Sequence, residues 1–573
     1  MSHAVQIRRI SMVLTLTLLA ACADRGLVGP PARPAFDLSG IADPDTGDLV
    51  LYPSDAVFTD DPAERSAASA SVSFATAAAT APSIRIGVVQ SSSTILLGST
   101  ADYTIRDKAN GVTVMSGTNG SATVTLAAVP EAYIYYQVVC GTVAAVSAKK
   151  AAAEELGYFT LTEAIPACTR LLIGRLPTTS TTAQRTAFKN TLIAQGLAAA
   201  DAFARSITIG TQTLYRITRG ALIVQNVNPV VVTSSTGIVT IGATATTLRR
   251  YRGKGEARIN SSALLAGINE LPIEEYLYGV VPQELGPIAF PEVEAQKAQA
   301  VAARTYAMAG FGKRGADGYD LRATTDDQVY GGFGFEHPVS NAAVDATAGI
   351  VAMHDGKLIS ALFSSTSGGH TADNEEAFNG AAAAYLRGVP DAERGRALEH
   401  VPSLDVFRAH ANPKSLRAAK EGDFESNWAS LHRWTFEWSA PEISQVISAF
   451  AGKPVGTVRA INVLERGPSG RVLSIEYVTD EGTFTHAKDA IRSSLRFINA
   501  AGAPANLPST LFFVEPIEAW GNQPGGGFRV YGGGFGHGVG LSQTGAVGMA
   551  EKGHTYDEIL MHYYRGITLE QAY

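Results

Sequence analysis

The chain has 573 residues, 17% of them charged, and a formal net charge of −7. This length is enough for about two to four domains with substantial hydrophobic cores. No run of Lys and Arg resembles a patch that would bind a phosphate backbone, so the composition argues against a nucleic-acid-binding protein.

The N-terminus has the pattern of a bacterial export signal. Arg8 and Arg9 precede an apolar run over residues 12–21, which is too short to span a bilayer as a mature helix. The run ends in Leu-Ala-Ala-Cys, so we predict a lipoprotein signal peptide over residues 1–21 with a lipid on Cys22. Two or more acyl chains would anchor the protein stably, and the membrane would be contacted through this lipid alone. The expected location is the outer membrane, facing the periplasm; ordinary secretory cleavage is the alternative.

A flexible tether is predicted over residues 22–82, which are rich in Ala, Ser, Pro and Asp. Short alternating segments with Gly and Asn turns then predict a β-rich N-terminal region over residues 83–255. Cys140 and Cys168 could form a disulfide in an oxidising periplasm. The sequence does not show whether their Cα atoms are close enough, so this pairing stays open.

A small α+β insert is predicted inside this region, at about residues 133–209. Strand-like segments at 133–139 and 171–176 alternate with helix-like segments, one of them over residues 182–196. The Leu-Leu-Ile-Gly-Arg-Leu strand and the Ala-Gln-Gly-Leu end of the second helix resemble a SPOR-like domain, a module that binds peptidoglycan glycan strands. A structural insert without a ligand is the alternative.

The most informative stretch begins at residues 271–285, which read Leu-Pro-Ile-Glu-Glu-Tyr-Leu-Tyr-Gly-Val-Val-Pro-Gln-Glu-Leu. Here Glu284 is expected on a stiffened bend between two prolines. An alanine-rich helix is predicted over residues 291–310, and Lys297 and Arg304, seven residues apart, would share one stripe of it. Each residue alone is more often a surface or capping residue. Together, a fixed acid and a cationic stripe are typical of an acid/base site or a pocket for an acidic sugar.

Two later segments carry possible functional residues. Residues 365–371 read Ser-Thr-Ser-Gly-Gly-His-Thr, and residues 534–546 read Gly-Phe-Gly-His-Gly-Val-Gly-Leu-Ser-Gln-Thr-Gly-Ala. The glycines fit no nucleotide-binding spacing, and we expect them to allow tight bends that present His537. A serine hydrolase would need a Gly-x-Ser-x-Gly elbow and a zinc protease a His-Glu-x-x-His motif, and the sequence has neither. We therefore predict no metal and no cofactor.

With the three segments in this order, the chain resembles the SpoIID/LytB family, the stage II sporulation protein D type of peptidoglycan lytic transglycosylases and amidase enhancers. The resemblance implies an α+β fold with a mixed α/β catalytic domain over residues 256–573. One mild departure is Pro-Gln-Glu-Leu, where relatives often have Pro-x-Glu-Met. The resemblance implies that Glu284 is catalytic. It implies substrate-binding roles for Lys297, Arg304, Ser365, His370, His537 and Gln543.

The expected function is lytic cleavage of the MurNAc–GlcNAc bond of peptidoglycan strands, with formation of 1,6-anhydro-MurNAc. Partial burial would keep Glu284 protonated, whereas a cation directly beside it would lower its pKa. We therefore expect Lys297 and Arg304 to hold the substrate a short distance away. Two alternatives are a non-catalytic glycan-binding lipoprotein that activates a cell-wall amidase, and a structural envelope protein with a degenerate groove.

Overall fold

The computed structural model describes residues 80–392, 424–425, 428–498, 504–518 and 526–573. It also gives the backbone of two short paired strands, β1 (Ile41–Ala42) and β2 (Leu49–Val50). The predicted signal peptide, Cys22 and nearly all of the predicted tether lie outside the described residues, so the lipid anchor stays a prediction. In the part of the chain that is described, no helix is long and apolar enough to cross a membrane.

The chain forms two compact units, which are described separately below. One consists of Val88–Asn269, and the other of the residues up to Gly87 together with Glu270–Tyr573. The sequence suggested a boundary at residue 256. The first unit extends further because the strand Lys254–Ile259 pairs with Val230–Ser234 of the same unit. Helices and strands both contribute throughout, which confirms the mixed α+β fold class.

The part of the chain from residue 83 to residue 272 is dominated by antiparallel strands. These strands are β3 (Ser83–Ser92), β4 (Thr94–Asp107), β5 (Thr113–Gly141), β6 (Thr160–Ile165), β7 (Cys168–Pro177), β8 (Phe203–Arg219), β9 (Leu222–Asn226), β10 (Val230–Ser234), β11 (Ile238–Gly242), β12 (Arg249–Arg252), β13 (Lys254–Ile259) and β14 (Leu265–Pro272). The two helices are α1 (Val143–Glu155) and α2 (Thr182–Ala194). The long strand β5 pairs with β4 along its first half and with β7 and β8 along the rest.

The predicted insert is a ferredoxin-like motif. Its elements follow the order β5-α1-β6-β7-α2-β8, and its strands lie side by side in the order β8-β5-β7-β6. Alternate residues of the strands, such as Ile134, Tyr136 and Ile173, form a core with Leu192 of α2. Both helices therefore cover one face of the sheet. A disulfide joins Cys140 and Cys168, whose Cα atoms are 5.5 Å apart, so the pairing that the sequence left open is present.

The other unit contains most of the helices and a set of small sheets. Its helices are α3 (Ile273–Glu284), α4 (Val293–Ala309), α5 (Pro338–Ala346), α6 (Asn374–Ala377), α7 (Ala440–Ala451), α8 (Ala490–Ser494), α9 (Gln543–Glu551) and α10 (Tyr556–Tyr563). Its further strands are β15 (Leu321–Arg322), β16 (Ile350–His354), β17 (Lys357–Leu358), β18 (Phe363–Ser364), β19 (Trp434–Ser439), β20 (Val458–Arg466), β21 (Val472–Thr479), β22 (Gly482–Ala487), β23 (Phe497–Ile498), β24 (Pro504–Ala505), β25 (Phe512–Pro516), β26 (Gly527–Gly532), β27 (Leu541–Ser542) and β28 (Thr568–Gln571).

Helix α3 ends at Glu284, which corrects the expectation that this residue lies on a bend between prolines. Glu274 and Glu275 occupy the first turn, where the N–H groups of the helix end favour negative charge. Pro282 is accommodated inside the last turn. Its fixed φ suits a helix, although its ring nitrogen cannot donate a backbone hydrogen bond. The helix therefore delivers the carboxyl group of Glu284 at its C-terminal end.

Helix α4 is the central element of this unit. It begins at Val293, two residues later than predicted, and ends before Gly310 as predicted. Most of its residues are buried, including Ala300, Val301 and Met308, whereas Val293 at its start is 49% exposed. Because six of its twelve buried residues are alanine, neighbouring helices can approach the backbone closely.

A buried ion pair joins α3 to α4. Arg304 is fully buried, and its Nε and Nη2 donate to the two carboxylate oxygens of Glu274 at 2.8 and 2.7 Å. The same guanidinium donates to the carbonyl oxygens of Val344 and Ile350. Arg304 therefore has a structural role, and the substrate contact implied by the resemblance does not fit this placement.

Replacing Arg304 should destabilise the fold strongly. Arg304→Met keeps the apolar stem but leaves Glu274, whose side chain is only 15% exposed, without its cation. Loss of one partner of a buried pair typically costs about 3–5 kcal/mol. The matched control on the same helix is Lys297→Ala, whose more exposed pair with Glu294 should contribute no more than about 0.5 kcal/mol. Urea unfolding of both variants measures the difference; equal losses would contradict this assignment.

Candidate functional site

The carboxyl group of Glu284 lies at the centre of the candidate site. Its side chain is only partly exposed, and the backbone N–H of Val329 donates to Oε1 at 2.6 Å. The side chain of Gln543 forms a second hydrogen bond with the same carboxyl group. Burial raises the pKa of Glu284 from 4.5 to about 7, and the two hydrogen bonds oppose this rise without overcoming it. Near neutral pH this group can therefore both donate and accept a proton.

The segment that carries Val329 is fixed by a buried aspartate. Asp327 accepts hydrogen bonds from Lys313 Nζ at 2.6 Å, Arg314 Nε at 3.2 Å and the backbone N–H of Arg322 at 2.9 Å. These charge-assisted bonds are stronger than neutral ones. They hold the backbone two residues before Val329, and so they keep its N–H directed at Glu284.

The chain that follows Glu284 is held by helix α4. The amide nitrogen of Gln296 donates to the carbonyl oxygens of Leu285 and Phe290, at 2.8 and 3.0 Å. Its amide oxygen accepts from Ser340 Oγ at 2.8 Å. Gln296 is fully buried, so these bonds are protected from water. The connection between α3 and α4 is therefore fixed at two points after the acid.

Gln543 is the first residue of helix α9, which the sequence analysis did not predict. Its Nε2 donates to Gln299 Oε1 of α4 at 3.3 Å, so one amide group connects α4, α9 and Glu284. The resemblance implied a substrate contact for Gln543, and the structure places it against the acid itself. Two glycines made this helix look like a loop. One of them, Gly548, is required because a Cβ there would lie 1.8 Å from the carbonyl oxygen of Phe424.

The glycine-rich loop before α9 allows the close approach that the sequence predicted. Gly538 and Gly540 adopt φ values of +75° and +74°, which favour glycine. A Cβ at Gly540 would lie 2.1 Å from the carbonyl oxygen of Leu362, and one at Gly538 would meet the guanidinium of Arg471. These two positions therefore require glycine for both conformation and space.

The second sequence motif (residues 365–371) is joined to the third (residues 534–546) by backbone contacts. Strand β18, which precedes the motif, pairs in parallel with β27. The carbonyl oxygen of Ser365 then accepts from the N–H and the hydroxyl of Thr544, at 2.9 and 3.0 Å. Ser365 thus lies beside the first turn of α9, next to Gln543. All three sequence motifs are brought together in one unit.

The two predicted histidines differ in exposure. His370 is buried, its Nδ1 lies 2.6 Å from the carbonyl oxygen of Thr371, and burial lowers its pKa. This placement fits a neutral structural residue better than a substrate contact. His537 is partly exposed, and its Nδ1 accepts from the N–H of Val539 at 3.0 Å. Lys297 is also partly exposed and pairs with Glu294 at 2.7 Å.

A buried carboxylate that sequence analysis missed connects the second and third motifs. Glu425 is fully buried, and three donors reach each of its oxygens. The donors to Oε1 are Ser367 Oγ, the Gly368 N–H and His432 Nδ1. The donors to Oε2 are the Ser367 N–H, Ser542 Oγ and Thr544 Oγ1. We call Glu425 and these five donor residues the Glu425 cluster. No local pattern could reveal it, because Glu425 stands far from both motifs in sequence.

Glu425 remains an anion inside the protein. Burial by itself would raise its pKa, but the hydrogen bonds from His432, Thr544 and Ser367 lower it, and the charge of His432 lowers it further where that imidazole is protonated, below its pKa of about 4. Burial lowers the pKa of His432, so the imidazole is neutral near neutral pH and donates through Nδ1. Among the described residues, no group of His, Cys, Asp and Glu is arranged to hold a metal ion.

Comparison with known proteins relates the chain to cell-wall proteins of bacteria. The family described as Stage II sporulation protein matches residues 261–354, and a domain of unknown function matches residues 372–540. A stage II sporulation protein D of Bacillus amyloliquefaciens is 30% identical over 53% of this chain and 76% of its own length. The amidase enhancer of Bacillus subtilis is 30% identical over 51% of this chain and 40% of its own length. An uncharacterized protein of Brachyspira hyodysenteriae is 31% identical over 53% of this chain and 67% of its own length.

The raised pKa of Glu284 predicts a pH-dependent cost to stability. Because its pKa is 4.5 ordinarily and about 7 in the folded protein, the folded state binds more protons between these values. Stability is therefore lost as the pH rises from about 4.5 to about 7. Glu284→Gln, which keeps an acceptor for Val329, should be more stable than the parent by up to about 3 kcal/mol at pH 8. The gain should vanish at pH 4, as urea unfolding at both pH values would show.

A gain that is the same at pH 4 and pH 8 would contradict the raised pKa, because it would have to come from packing alone. Glu275→Gln on the same helix serves as the control, since its carboxyl group is in the first turn and far along α3 from the site.

Proposed function

Because this chain belongs to the stage II sporulation protein D family, we propose that it acts on the bacterial cell wall as a lytic transglycosylase that cleaves the MurNAc–GlcNAc bond. The observation that carries the proposal is the carboxyl group of Glu284. It is held in place by Val329 and Gln543, and its pKa is raised to about 7. A general acid works best when its pKa is near the pH at which it operates.

In the first step, protonated Glu284 donates its proton to the glycosidic oxygen between MurNAc and GlcNAc. The C–O bond to the anomeric carbon breaks, the GlcNAc side leaves as an alcohol, and positive charge develops on the MurNAc ring. The carboxylate that results keeps the hydrogen bonds from Val329 and Gln543. Hydrogen bonds to a charged group are the stronger kind, so they favour the product of this step.

In the second step, the carboxylate takes the proton of the MurNAc 6-hydroxyl while that oxygen bonds to the anomeric carbon. This closes the 1,6-anhydro ring and returns Glu284 to its protonated form, so the two steps balance without water. Most glycosidases need a second carboxylate as nucleophile or base. An internal nucleophile is already held beside the reacting carbon, so one carboxyl group that serves both steps is sufficient.

The partly exposed cations and polar groups are proposed to bind the glycan around this acid. Lys297, Ser365 and His537 keep some access to solvent, unlike Arg304 and His370. The proposed setting is the periplasm, with the protein anchored through lipid on Cys22. The glycan strand would then be reached from the membrane surface.

A second candidate function is activation of a cell-wall amidase without catalysis by this chain. A specific observation favours it: one relative, 30% identical, is named an amidase enhancer. In that case the site would bind a glycan strand, and Glu284 would contribute to binding instead of proton transfer.

Digestion of purified peptidoglycan sacculi distinguishes lytic transglycosylase activity from activation of an amidase. The parent chain should release fragments that end in 1,6-anhydro-MurNAc, detected by mass spectrometry, and the rate should fall as the pH rises above about 7. Glu284→Gln should lower the rate about 10²–10⁴-fold, as expected for loss of a general acid. The variant should still sediment with sacculi. The control is Glu275→Gln.

Product release that is unchanged by Glu284→Gln would reject the acid role. If the parent chain releases no anhydro product, and soluble peptide appears only when an amidase is added, the second candidate is correct.

A further inference from the structure

We propose that Glu425 is a positioning residue of this site, which holds Gln543 against Glu284 and against Gln299 of α4. The inference rests on the proposed function for its effect on catalysis, but the positioning itself can be measured without substrate. Glu425 does not contact Glu284 in the geometry described above; it acts through the first turn of α9.

One oxygen of Glu425 holds the residues on both sides of Gln543. Its Oε2 accepts from Ser542 Oγ at 3.0 Å and from Thr544 Oγ1 at 2.7 Å. Ser542 is also the N-cap of α9 and accepts from the N–H of Gly545. With both neighbours fixed, the backbone of Gln543 has little freedom to rotate. Its side chain is therefore directed at Gln299 and Glu284.

The other oxygen fixes the second motif, which supports the same turn. Oε1 accepts from the Gly368 N–H at 2.7 Å and from Ser367 Oγ at 3.1 Å. The carbonyl oxygen of Ser365, just before them, accepts two hydrogen bonds from Thr544. Glu425 thus positions Thr544 by two routes, one direct and one through the second motif.

Charged and polar groups surround the carboxylate of Glu425. His432 Nδ1 donates to Glu425 at 3.0 Å. The negative charge of Glu425 favours the protonated forms of Arg471 and Tyr563. Arg471 is itself buried and donates to the carbonyl oxygens of Ser367 and His370. An anion in the centre of these donors orders them more strongly than a neutral group would.

Loosening this cluster should have a specific effect on Glu284. The groups that act on the Glu284 carboxyl group are Gln543 from α9 and Val329 from its loop. Tyr276 of α3 is close enough for the charge of Glu284 to raise its pKa. The hydrogen bond from Gln543 lowers the pKa of Glu284. Displacement of Gln543 should therefore raise that pKa further, whereas a general loss of stability would leave it unchanged.

The test uses the full chain with Glu425→Gln, Gln543→Leu and the control Glu376→Gln. Glu376 is a second buried carboxylate of the same unit, which accepts from Ser469 Oγ at 2.6 Å. Like Glu425 it interacts with the charge of Arg471, but among the described residues no side chain of α9 donates to it. Each variant is made twice, once with Glu284 and once with Glu284→Gln. Within each pair, the difference in unfolding free energy is measured as a function of pH. The midpoint of the change in this difference with pH reports the ionisation of Glu284.

We expect Glu425→Gln and Gln543→Leu to move this midpoint to higher pH, and Glu376→Gln to leave it in place. Glu425→Gln added to Gln543→Leu should give no further shift, since both act on one hydrogen bond. Release of anhydro product from sacculi should fall about 100-fold with Glu425→Gln, as expected for a misplaced catalytic neighbour.

An unchanged midpoint in Glu425→Gln, or further shift on top of Gln543→Leu, would overturn the proposal. If Glu425→Gln does not fold, Thr544→Val removes one donor and keeps the buried charge; an unchanged midpoint there would overturn the proposal equally. Should the parent release no anhydro product, the proposed function fails, but the midpoints still decide whether Glu425 positions Gln543.

Discussion

The burial of a single carboxyl group, that of Glu284, is the constraint on which the rest of the site depends. Burial alone would favour the neutral acid and raise its pKa above the value of about 7 that it has with its hydrogen bonds. The N–H of Val329 and the amide of Gln543 offset part of this cost. The acid is therefore balanced between two protonation states. This balance requires that three separate parts of the chain, α3, the loop of Val329 and α9, meet at one point.

Helix α4 is what brings these parts together. Its alanines let the neighbouring helices approach, and its few buried polar residues each bind a different partner. Arg304 binds Glu274 of α3, Gln296 binds the chain after Glu284, and Gln299 accepts from Gln543. A helix with larger apolar side chains would keep α9 too far away for the last of these contacts. Small residues and buried amides therefore serve one purpose, which is to place Glu284 and Gln543 within hydrogen-bonding distance.

Sequence analysis could predict the features that follow from local patterns. The span of α4 up to Gly310 and the tight bends of the glycine loop depend on spacing and on residue type. The role of Arg304 could not be predicted, because its partner Glu274 is 30 residues away. Helix α9 was missed because Gly548 reads as a helix breaker, although it is needed for close packing. Glu425 was missed because four of the five residues that donate to it are at least 57 positions away in sequence.

The second motif shows why a sequence pattern alone can suggest the wrong chemistry. Serines and a histidine in one short segment invite a catalytic interpretation, yet the segment acts mainly through its backbone. Ser365 and His370 accept through their carbonyl oxygens, and Gly368 donates its N–H to Glu425. Gly368 also has a positive φ, and a Cβ there would lie 2.8 Å from the backbone of the glycine loop. A glycine at this position is therefore required for packing, and the proton chemistry proposed for the site is assigned to Glu284 alone.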